Sequence, residues 1–110
     1  AHAQRGEVKG CKKAIHEMTR HQLRPDVVCY NALIKAYSKV GDVKGAREAF
    51  DELGRLHIEP DRISYNTLMK VHVQAGQLAD AEALIDELRS QGLKPDLVTY
   101  GTLLNAHARR

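Results

Sequence analysis

The chain has 110 residues, of which 43% are hydrophobic and 28% charged, so it can bury a core and lies outside the composition of disordered chains. Its formal net charge of +3 and pI near 9.0 are mildly basic, which suits a polyanionic partner without requiring one. Cys11 and Cys29 lack the spacing of a disulfide framework or a cysteine metal site, and no run approaches the roughly 18 apolar residues of a membrane span.

A repeat with a period of 35 residues organises the chain. When residues 28–62 are placed above residues 63–97, 11 of the 35 positions are identical. The identical pairs are Tyr30/Tyr65, Asn31/Asn66, Leu33/Leu68, Lys35/Lys70, Gly41/Gly76, Ala46/Ala81, Asp51/Asp86, Glu52/Glu87, Leu53/Leu88, Pro60/Pro95 and Asp61/Asp96. Self-similarity at a fixed period of this kind is typical of a solenoid. We therefore expect part of one repeat in residues 1–26, complete repeats in 27–61 and 62–96, and the first helix of a further repeat in 97–110.

Apolar residues at helical spacing predict two helices in each repeat. In chain order, the predicted helices span residues 7–21, 28–40, 43–57, 63–75, 78–90 and 98–109. Gly41 and Gly76 are expected to end the first helix of each complete repeat, because glycine accepts the left-handed conformation of a helix terminus. A Pro-Asp pair closes each repeat, since proline cannot continue a helix interior. One hairpin cannot bury both of its faces, so neighbours are expected to stack into a superhelix whose first helices line a concave surface.

Three segments at the start of the first helices carry a resemblance to a known family. They are Val-Cys-Tyr-Asn-Ala-Leu-Ile (28–34), Ile-Ser-Tyr-Asn-Thr-Leu-Met (63–69) and Val-Thr-Tyr-Gly-Thr-Leu-Leu (98–104). With the closing Pro-Asp pairs they resemble the pentatricopeptide repeat, which implies an all-α, right-handed superhelical solenoid that reads single-stranded RNA at one base per repeat. The tetratricopeptide repeat fits less well, because its unit has about 34 residues and a tryptophan in its pattern, whereas this chain has no tryptophan.

The resemblance assigns base reading to the residue after the motif tyrosine, together with the residue after the closing proline. These pairs are Asn31 with Asp61 and Asn66 with Asp96, while Asp26 has its partner outside the 110 residues. The family associates an Asn/Asp pair with uracil, so the two complete repeats would read two successive uridines. The chemistry is reasonable, because an amide both donates and accepts. A carboxylate can accept from the ring N–H of uracil, a proton that cytosine lacks at neutral pH.

The resemblance also implies contacts to base faces and to phosphates. Base faces would lie between apolar side chains two residues before each motif tyrosine, which are Val28, Ile63 and Val98. Lys39 and Arg109, eight residues after the reading position, would contact phosphates. Gln74 departs from the basic character of this place, and Gly101 has no side chain with which to read a base.

Charge is divided between the two kinds of helix independently of the resemblance. The first helices, in residues 28–40, 63–75 and 98–110, contain five lysines or arginines and no acidic residue. The second helices, in residues 42–57 and 77–91, contain eight acidic residues against four basic ones. The earlier segment 7–21 breaks this division, with four basic residues against two acidic ones. If the first helices line the concave face, that face is positive and suits a phosphate backbone.

Several of these residues also have a purely structural interpretation. Each aspartate after a proline can serve as a helix N-cap, a role compatible with base reading. The three apolar clamp residues can be ordinary core residues, and the motif tyrosines are expected to pack between helices. Asparagine is a poor residue inside a helix, so its recurrence as Asn31 and Asn66 favours a reading role.

No constellation in the sequence indicates an enzyme. His16 and His21 are five residues apart, whereas the zinc-binding helix of metalloproteases needs a spacing of about four. We therefore expect no cofactor, metal, membrane or small-molecule substrate, with single-stranded RNA as the partner. The family implies a role in organelle RNA processing, in mitochondria or chloroplasts.

Two other functions stay open at this point. The chain could be a tetratricopeptide-like scaffold for protein–protein interaction, or it could position RNA for a catalytic domain outside these residues. Exposed repeat ends could add protein partners or self-association.

Overall fold

The computed structural model describes residues 2–108, and side chains from residue 6 onward. This part of the chain is an all-α solenoid of six helices. They are α1 (His2–Arg20), α2 (Val27–Val40), α3 (Val43–Arg55), α4 (Arg62–Gln74), α5 (Leu78–Ser90) and α6 (Leu97–Ala108). Among them, none has both the length and the apolar character that crossing a membrane requires.

Five of the six helices have the predicted bounds to within two residues, and α1 is the exception. The expectation that α1 begins at residue 7 was wrong, because the helix starts at His2 and continues through Gly6. Gly6 occupies the repeat position of Gly41, but only Gly41, Gly76 and Gly92 among the described glycines have positive φ angles. Gly6 lies within α1 and lacks the positive φ angle that ends α2 and α4, so its repeat position alone does not predict the start of α1.

Aspartates of the Pro-Asp pairs begin the first helices. Asp26 Oδ1 accepts a hydrogen bond from the Cys29 backbone N–H at 3.1 Å, and Asp61 Oδ1 accepts from the Ser64 N–H at 3.0 Å. Asp96 Oδ1 accepts in the same way from the Thr99 N–H at 3.0 Å. The predicted N-cap role is therefore confirmed, since these bonds satisfy backbone N–H groups that have no partner within the helix.

Left-handed residues end the helices. Gly41 (φ 73°) and Gly76 (φ 77°) follow α2 and α4, as predicted. The second helices end in a left-handed residue at another common repeat position, which is Gln22 (φ 61°), His57 (φ 58°) or Gly92 (φ 80°). Of these three residues, only Gly92 is a glycine, the residue type that adopts a left-handed backbone without strain.

The first helices α2, α4 and α6 pack directly side by side. α2 contacts α4 and α4 contacts α6, whereas α1, α3 and α5 make no mutual contact within residues 2–108. Since the first helices are closer together, they lie on the inner side of the curve. The core between the two layers includes Leu53, Leu68 and Leu88, all fully buried.

The motif tyrosines differ in their surroundings. Tyr30 and Tyr65 are buried, as expected for packing residues, and the Tyr65 ring meets the edge of Phe50 at a centroid distance of 5.1 Å. Tyr100 is 43% exposed, and its hydroxyl accepts a hydrogen bond from Arg89 Nη2 at 2.7 Å. Tyr100 thus contacts the neighbouring helix α5 but is less buried than the other two tyrosines, and α6 contacts only α4 and α5 among the described helices.

Candidate nucleic-acid interface

The residues predicted to read bases meet in pairs across neighbouring first helices. Asn31 Nδ2 donates to Asp61 Oδ1 at 3.0 Å, and Asn66 Nδ2 donates to Asp96 Oδ1 at 3.3 Å. Each asparagine lies within one first helix, and its aspartate caps the next first helix along the solenoid. The packing of α2 on α4, and of α4 on α6, therefore brings together residues that are 30 positions apart.

A buried hydroxyl completes each pair. Ser64 Oγ donates to Asn31 Oδ1, and Thr99 Oγ1 donates to Asn66 Oδ1 at 2.7 Å. Both residues are 0% exposed. Neither residue was among the predicted site residues, although small side chains recur at this position, directly before the motif tyrosine. The third member of the series is Cys29.

Hydrogen bonds keep the reading carboxylates ionised. Burial acts to raise the pKa of Asp61, but the hydrogen bonds donated by Asn31 and Ser64 outweigh it, and the pKa lies below its ordinary value. The hydrogen bonds from Thr99 lower the pKa of Asp96, with help from Asn66 and the charge of Arg62. An ionised carboxylate only accepts hydrogen bonds, so each aspartate offers an acceptor to its surroundings at neutral pH.

Asp26 has the same capping geometry as the other two aspartates. The hydrogen bond from the Cys29 backbone N–H lowers its pKa. No described asparagine contacts it.

The three predicted clamp residues are exposed. The exposed fractions are 68% for Val28, 61% for Ile63 and 61% for Val98. The alternative that they belong to the core is therefore wrong. Large apolar side chains that recur at one repeat position and remain exposed form a row of apolar surface along the first helices.

One open cavity brings two of the three clamp residues, Ile63 and Val98, next to a reading pair. It has a volume of about 470 Å³, which lies within the range of roughly 300–1,000 Å³ typical of small-ligand sites. Its lining residues are Asp61, Arg62, Ile63, Asn66, Thr67, Asp96 and Val98. The cavity therefore combines apolar side chains with the amide and carboxylate of the second reading pair.

Arg62 is a further residue of this cavity that sequence analysis missed. Its Nη1 lies 3.9 Å from Asp96 Oδ2, and its Nε donates to the Lys94 carbonyl oxygen at 2.9 Å. The equivalent repeat positions hold Val27 and Leu97. The two reading pairs thus have the same residue types, but only the second pair has an arginine beside its aspartate. The arginine at a repeat position that is otherwise apolar was the signal in the sequence that could have identified Arg62.

The predicted phosphate contacts are less uniform than the reading pairs. Lys39 Nζ forms a salt bridge with Glu7 Oε2 of α1 at 3.0 Å, and both side chains are exposed. Exposed salt bridges are weak, so an RNA phosphate could compete for Lys39. Gln74 and Gly101 are exposed on α4 and α6, and Arg109 lies outside the described residues.

The first helices have a single sign of charge. Between their described ends, α2, α4 and α6 contain Lys35, Lys39, Arg62 and Lys70, and no aspartate or glutamate. The charged side chains within these helices are therefore all positive, and the capping aspartates lie just before them. In residues 6–108, no three His, Cys, Asp or Glu side chains are grouped so that they could hold a metal ion.

Comparisons with known proteins agree with this architecture. A model of the pentatricopeptide repeat domain matches residues 13–75, and a model of the PPR repeat family matches residues 60–109. No curated protein sequence matches the chain.

Solved structures of PPR10 are similar to the chain. PPR10 in complex with an 18-nt psaJ RNA element is 26% identical, with a TM-score of 0.80 over 93% of this chain and 15% of that one. PPR10 from maize is 27% identical, with a TM-score of 0.79 over 94% of this chain and 15% of that one. The chain thus spans about 15% of the length of these solved relatives. Because the first family model covers more than half of the residues, the chain belongs to the pentatricopeptide repeat family.

Proposed function

We propose that the chain binds single-stranded RNA and that each complete repeat reads one base. Its family, and the RNA bound in the similar PPR10 structure, support this function. The lysines and Arg62 of the first helices are suited to a phosphate backbone, whereas the outer helices α3 and α5 are rich in acidic residues. RNA therefore approaches the inner surface formed by α2, α4 and α6.

The observation that carries this proposal is the Asn66–Asp96 pair in a cavity that Ile63 and Val98 also line. A nucleobase has two apolar faces and a polar edge. The side chains of Ile63 and Val98 suit the faces, and the amide and carboxylate suit the edge. The Asn31–Asp61 pair would read the neighbouring base, held between Val28 and Ile63.

Both complete repeats read uridine in this proposal. Uracil offers a ring N–H beside a carbonyl oxygen, and the reading pair offers a carboxylate beside an amide N–H. Cytosine has a lone pair where uracil has the ring N–H, and that lone pair would face the ionised carboxylate. Asp26 would complete a third reading pair with a residue outside the chain, and Lys39 and Arg109 would contact phosphates.

NMR titration of the ¹⁵N-labelled chain tests this proposal. Hexaribonucleotides would carry UU, CC or AA in the centre, at two salt concentrations, because two bases at about 1–3 kcal/mol each predict weak binding. We expect the UU hexamer to bind most tightly, to shift the side-chain amides of Asn31 and Asn66, and to bind less tightly at higher salt.

A matched pair of variants separates base-specific recognition from non-specific electrostatic attraction to RNA. Asn66→Ala is expected to remove the preference at its own base, whereas Lys44→Ala on the outer helix α3 should preserve it. Equal binding of all three hexamers, or no shift on the first helices, would contradict the proposal.

We also propose that the chain acts by binding rather than by catalysis, within a longer protein of mitochondria or chloroplasts that processes RNA. Fluorescence microscopy of the full-length protein fused to a fluorescent reporter tests the location. A signal confined to the cytosol would exclude it.

A further inference from the structure

The hydroxyls of Ser64 and Thr99 lie beneath the reading asparagines. Thr99 Oγ1 is 2.7 Å from Asn66 Oδ1 and 2.9 Å from Asp96 Oδ1. Ser64 Oγ is likewise nearer to the asparagine oxygen than to the aspartate oxygen. Because Ser64 and Thr99 are both 0% exposed, RNA cannot touch them in this arrangement. Any influence on base reading must pass through the asparagine or the aspartate that they contact.

Each hydroxyl has one proton, and the surrounding groups decide where it points. Asp61 Oδ1 already accepts from Asn31 Nδ2 and from the Ser64 backbone N–H, both at 3.0 Å. Asn31 Oδ1 has no other donor among residues 6–108. An ionised carboxylate accepts but cannot donate, so the asparagine nitrogen must face Asp61 and its oxygen must face Ser64. The hydroxyl therefore donates to the asparagine, and the amide is held from both sides.

This orientation determines what remains for a base. The second N–H of the amide donates to no group among residues 6–108, and the second carboxylate oxygen accepts no hydrogen bond there, although Arg62 Nη1 lies 3.9 Å from that oxygen in Asp96. A donor beside an acceptor matches a uracil carbonyl oxygen beside the uracil N3–H. Cytosine presents the opposite order, an amino donor beside the N3 acceptor, and is mismatched at both positions.

We propose that Ser64 and Thr99 are positioning residues for base selectivity. Their hydroxyls hold the asparagine amide with its N–H toward the base and so raise the preference for uracil over cytosine. This inference rests on the proposed RNA reading and extends it, since the residue before the motif tyrosine then joins the Asn/Asp pair in setting selectivity.

The same position in the first described unit shows that the chain itself varies this group. Cys29 occupies it, and its Sγ lies 3.8 Å from Met18 Sδ of α1. A thiol is a weak donor. This position therefore lacks the hydroxyl that holds the asparagine in the next two units.

Substitution of Thr99 tests the inference. Thr99→Val removes the hydroxyl at constant shape, Thr99→Cys introduces the residue that the chain has at position 29, and Thr99→Ser retains the hydroxyl. Dissociation constants would be measured by NMR titration with four hexamers carrying UU, UC, CU or CC between adenosines. Loss of one neutral hydrogen bond predicts that the uracil-to-cytosine ratio falls about threefold to tenfold at one base in the Val and Cys variants. The ratio at the other base should stay unchanged, and Thr99→Ser should restore the wild-type ratio at both.

The readout separates positioning from a merely structural role. Thr99 Oγ1 also accepts from the Asp96 backbone N–H at 3.1 Å, so Thr99→Val could weaken the start of α6. A structural role would lower affinity for all four hexamers equally and preserve the ratios. Ser64→Cys repeats the test at the other base, within a chain whose α6 is untouched.

Two outcomes distinguish this inference from the function on which it rests. If the wild-type chain shows no uracil preference, both are overturned. If the wild type prefers uracil and the Cys variants keep its ratio, the positioning role is overturned while uridine reading stands.

Discussion

Tyr37 and Gly45 lie so close together that a Cβ atom on Gly45 would overlap the tyrosine ring. Tyr37 belongs to α2 and Gly45 to the first turn of α3, so this contact sets how closely the two helices of one repeat approach. In the following repeat, the same two positions hold His72 and Asp80. The smaller ring of His72 thus occurs with the larger residue Asp80, and the larger ring of Tyr37 with Gly45. The side chains at these two positions therefore compete for the same volume between the helices.

Gly45→Ala is therefore expected to destabilise the chain. Glycine inside a helix normally costs about 0.5–1 kcal/mol relative to alanine, but overpacking against Tyr37 costs typically 1–3 kcal/mol. Urea unfolding monitored by circular dichroism would measure the change. Gly54→Ala is the matched control, because it lies in the same helix with nothing within 4 Å of the added Cβ. It should raise stability, and Tyr37→His should relieve the cost of Gly45→Ala. An equal gain in the free energy of unfolding in Gly45→Ala and Gly54→Ala would disprove the contact.

His57→Gly is expected to stabilise the chain. His57 has a φ of 58°, in the left-handed region, and Gly92 occupies its place in the next repeat. The left-handed conformation costs a residue with a Cβ atom roughly 1–2 kcal/mol. The melting temperature should rise in this variant and fall in Gly92→Ala, where no neighbour lies within 4 Å and only the backbone conformation changes. If the melting temperature rises in both variants, the left-handed φ angle at this turn does not determine the change in stability.

Periodicity predicted the parts of the structure that depend on residues 35 positions apart. The helix order and the glycine ends of α2 and α4 follow from the repeat, whereas the pairing of each asparagine with an aspartate was expected from the family resemblance. The pattern could not show that Val28 is exposed, because an apolar residue at helical spacing reads equally well as core. The pattern also could not show that α1 continues through Gly6, since Gly6 occupies the same repeat position as Gly41, which ends α2.

The contacts that refine the candidate site were beyond sequence analysis for a different reason. The Ser64–Asn31 and Lys39–Glu7 contacts span 33 and 32 positions and depend on side-chain orientation. Small polar residues and exposed charges are common on helices, so neither residue type stands out by itself. Only packing identifies which of them face one another.

Glu7→Gln is expected to strengthen RNA binding. The substitution frees Lys39, whose Nζ lies 3.0 Å from Glu7 Oε2. An exposed salt bridge contributes about 0–1 kcal/mol, so the gain in affinity should be at most about fivefold. Glu82→Gln, an equal charge change on the outer helix α5, is the control for overall charge. NMR titration with the UU hexamer compares them, and equal gains in both would place Lys39 outside the interface.

Lys39→Gln is expected to weaken binding of all RNA sequences alike. A single-strand phosphate contact contributes about 0.7 to the slope of log affinity against log salt, so the slope should become shallower by about that amount. The ratio between uracil and cytosine should not change, since a phosphate contact carries no base information. Titrations at three or more salt concentrations measure both quantities. A changed base ratio would mean that Lys39 touches the base.

Asp61→Asn is expected to lower stability at pH 7 by an amount that disappears in acid. The folded pKa of Asp61 lies below its ordinary value of 3.8. A carboxyl group with a depressed folded pKa contributes stability that is present above the unfolded pKa and is lost as pH falls through the folded pKa. Asparagine still caps a helix, so the comparison isolates the charge and its hydrogen bonds with Asn31 and Ser64.

Urea unfolding of both chains at several pH values between 7 and 2 measures this effect. The difference between wild type and variant should be constant above about pH 5 and shrink below the ordinary pKa of 3.8. The difference cancels the other carboxylates, which titrate in both chains. A gap that does not shrink as pH falls below the ordinary pKa would mean that Asp61 stabilises the repeat junction through its shape, and that its ionised form is not what holds the reading asparagine.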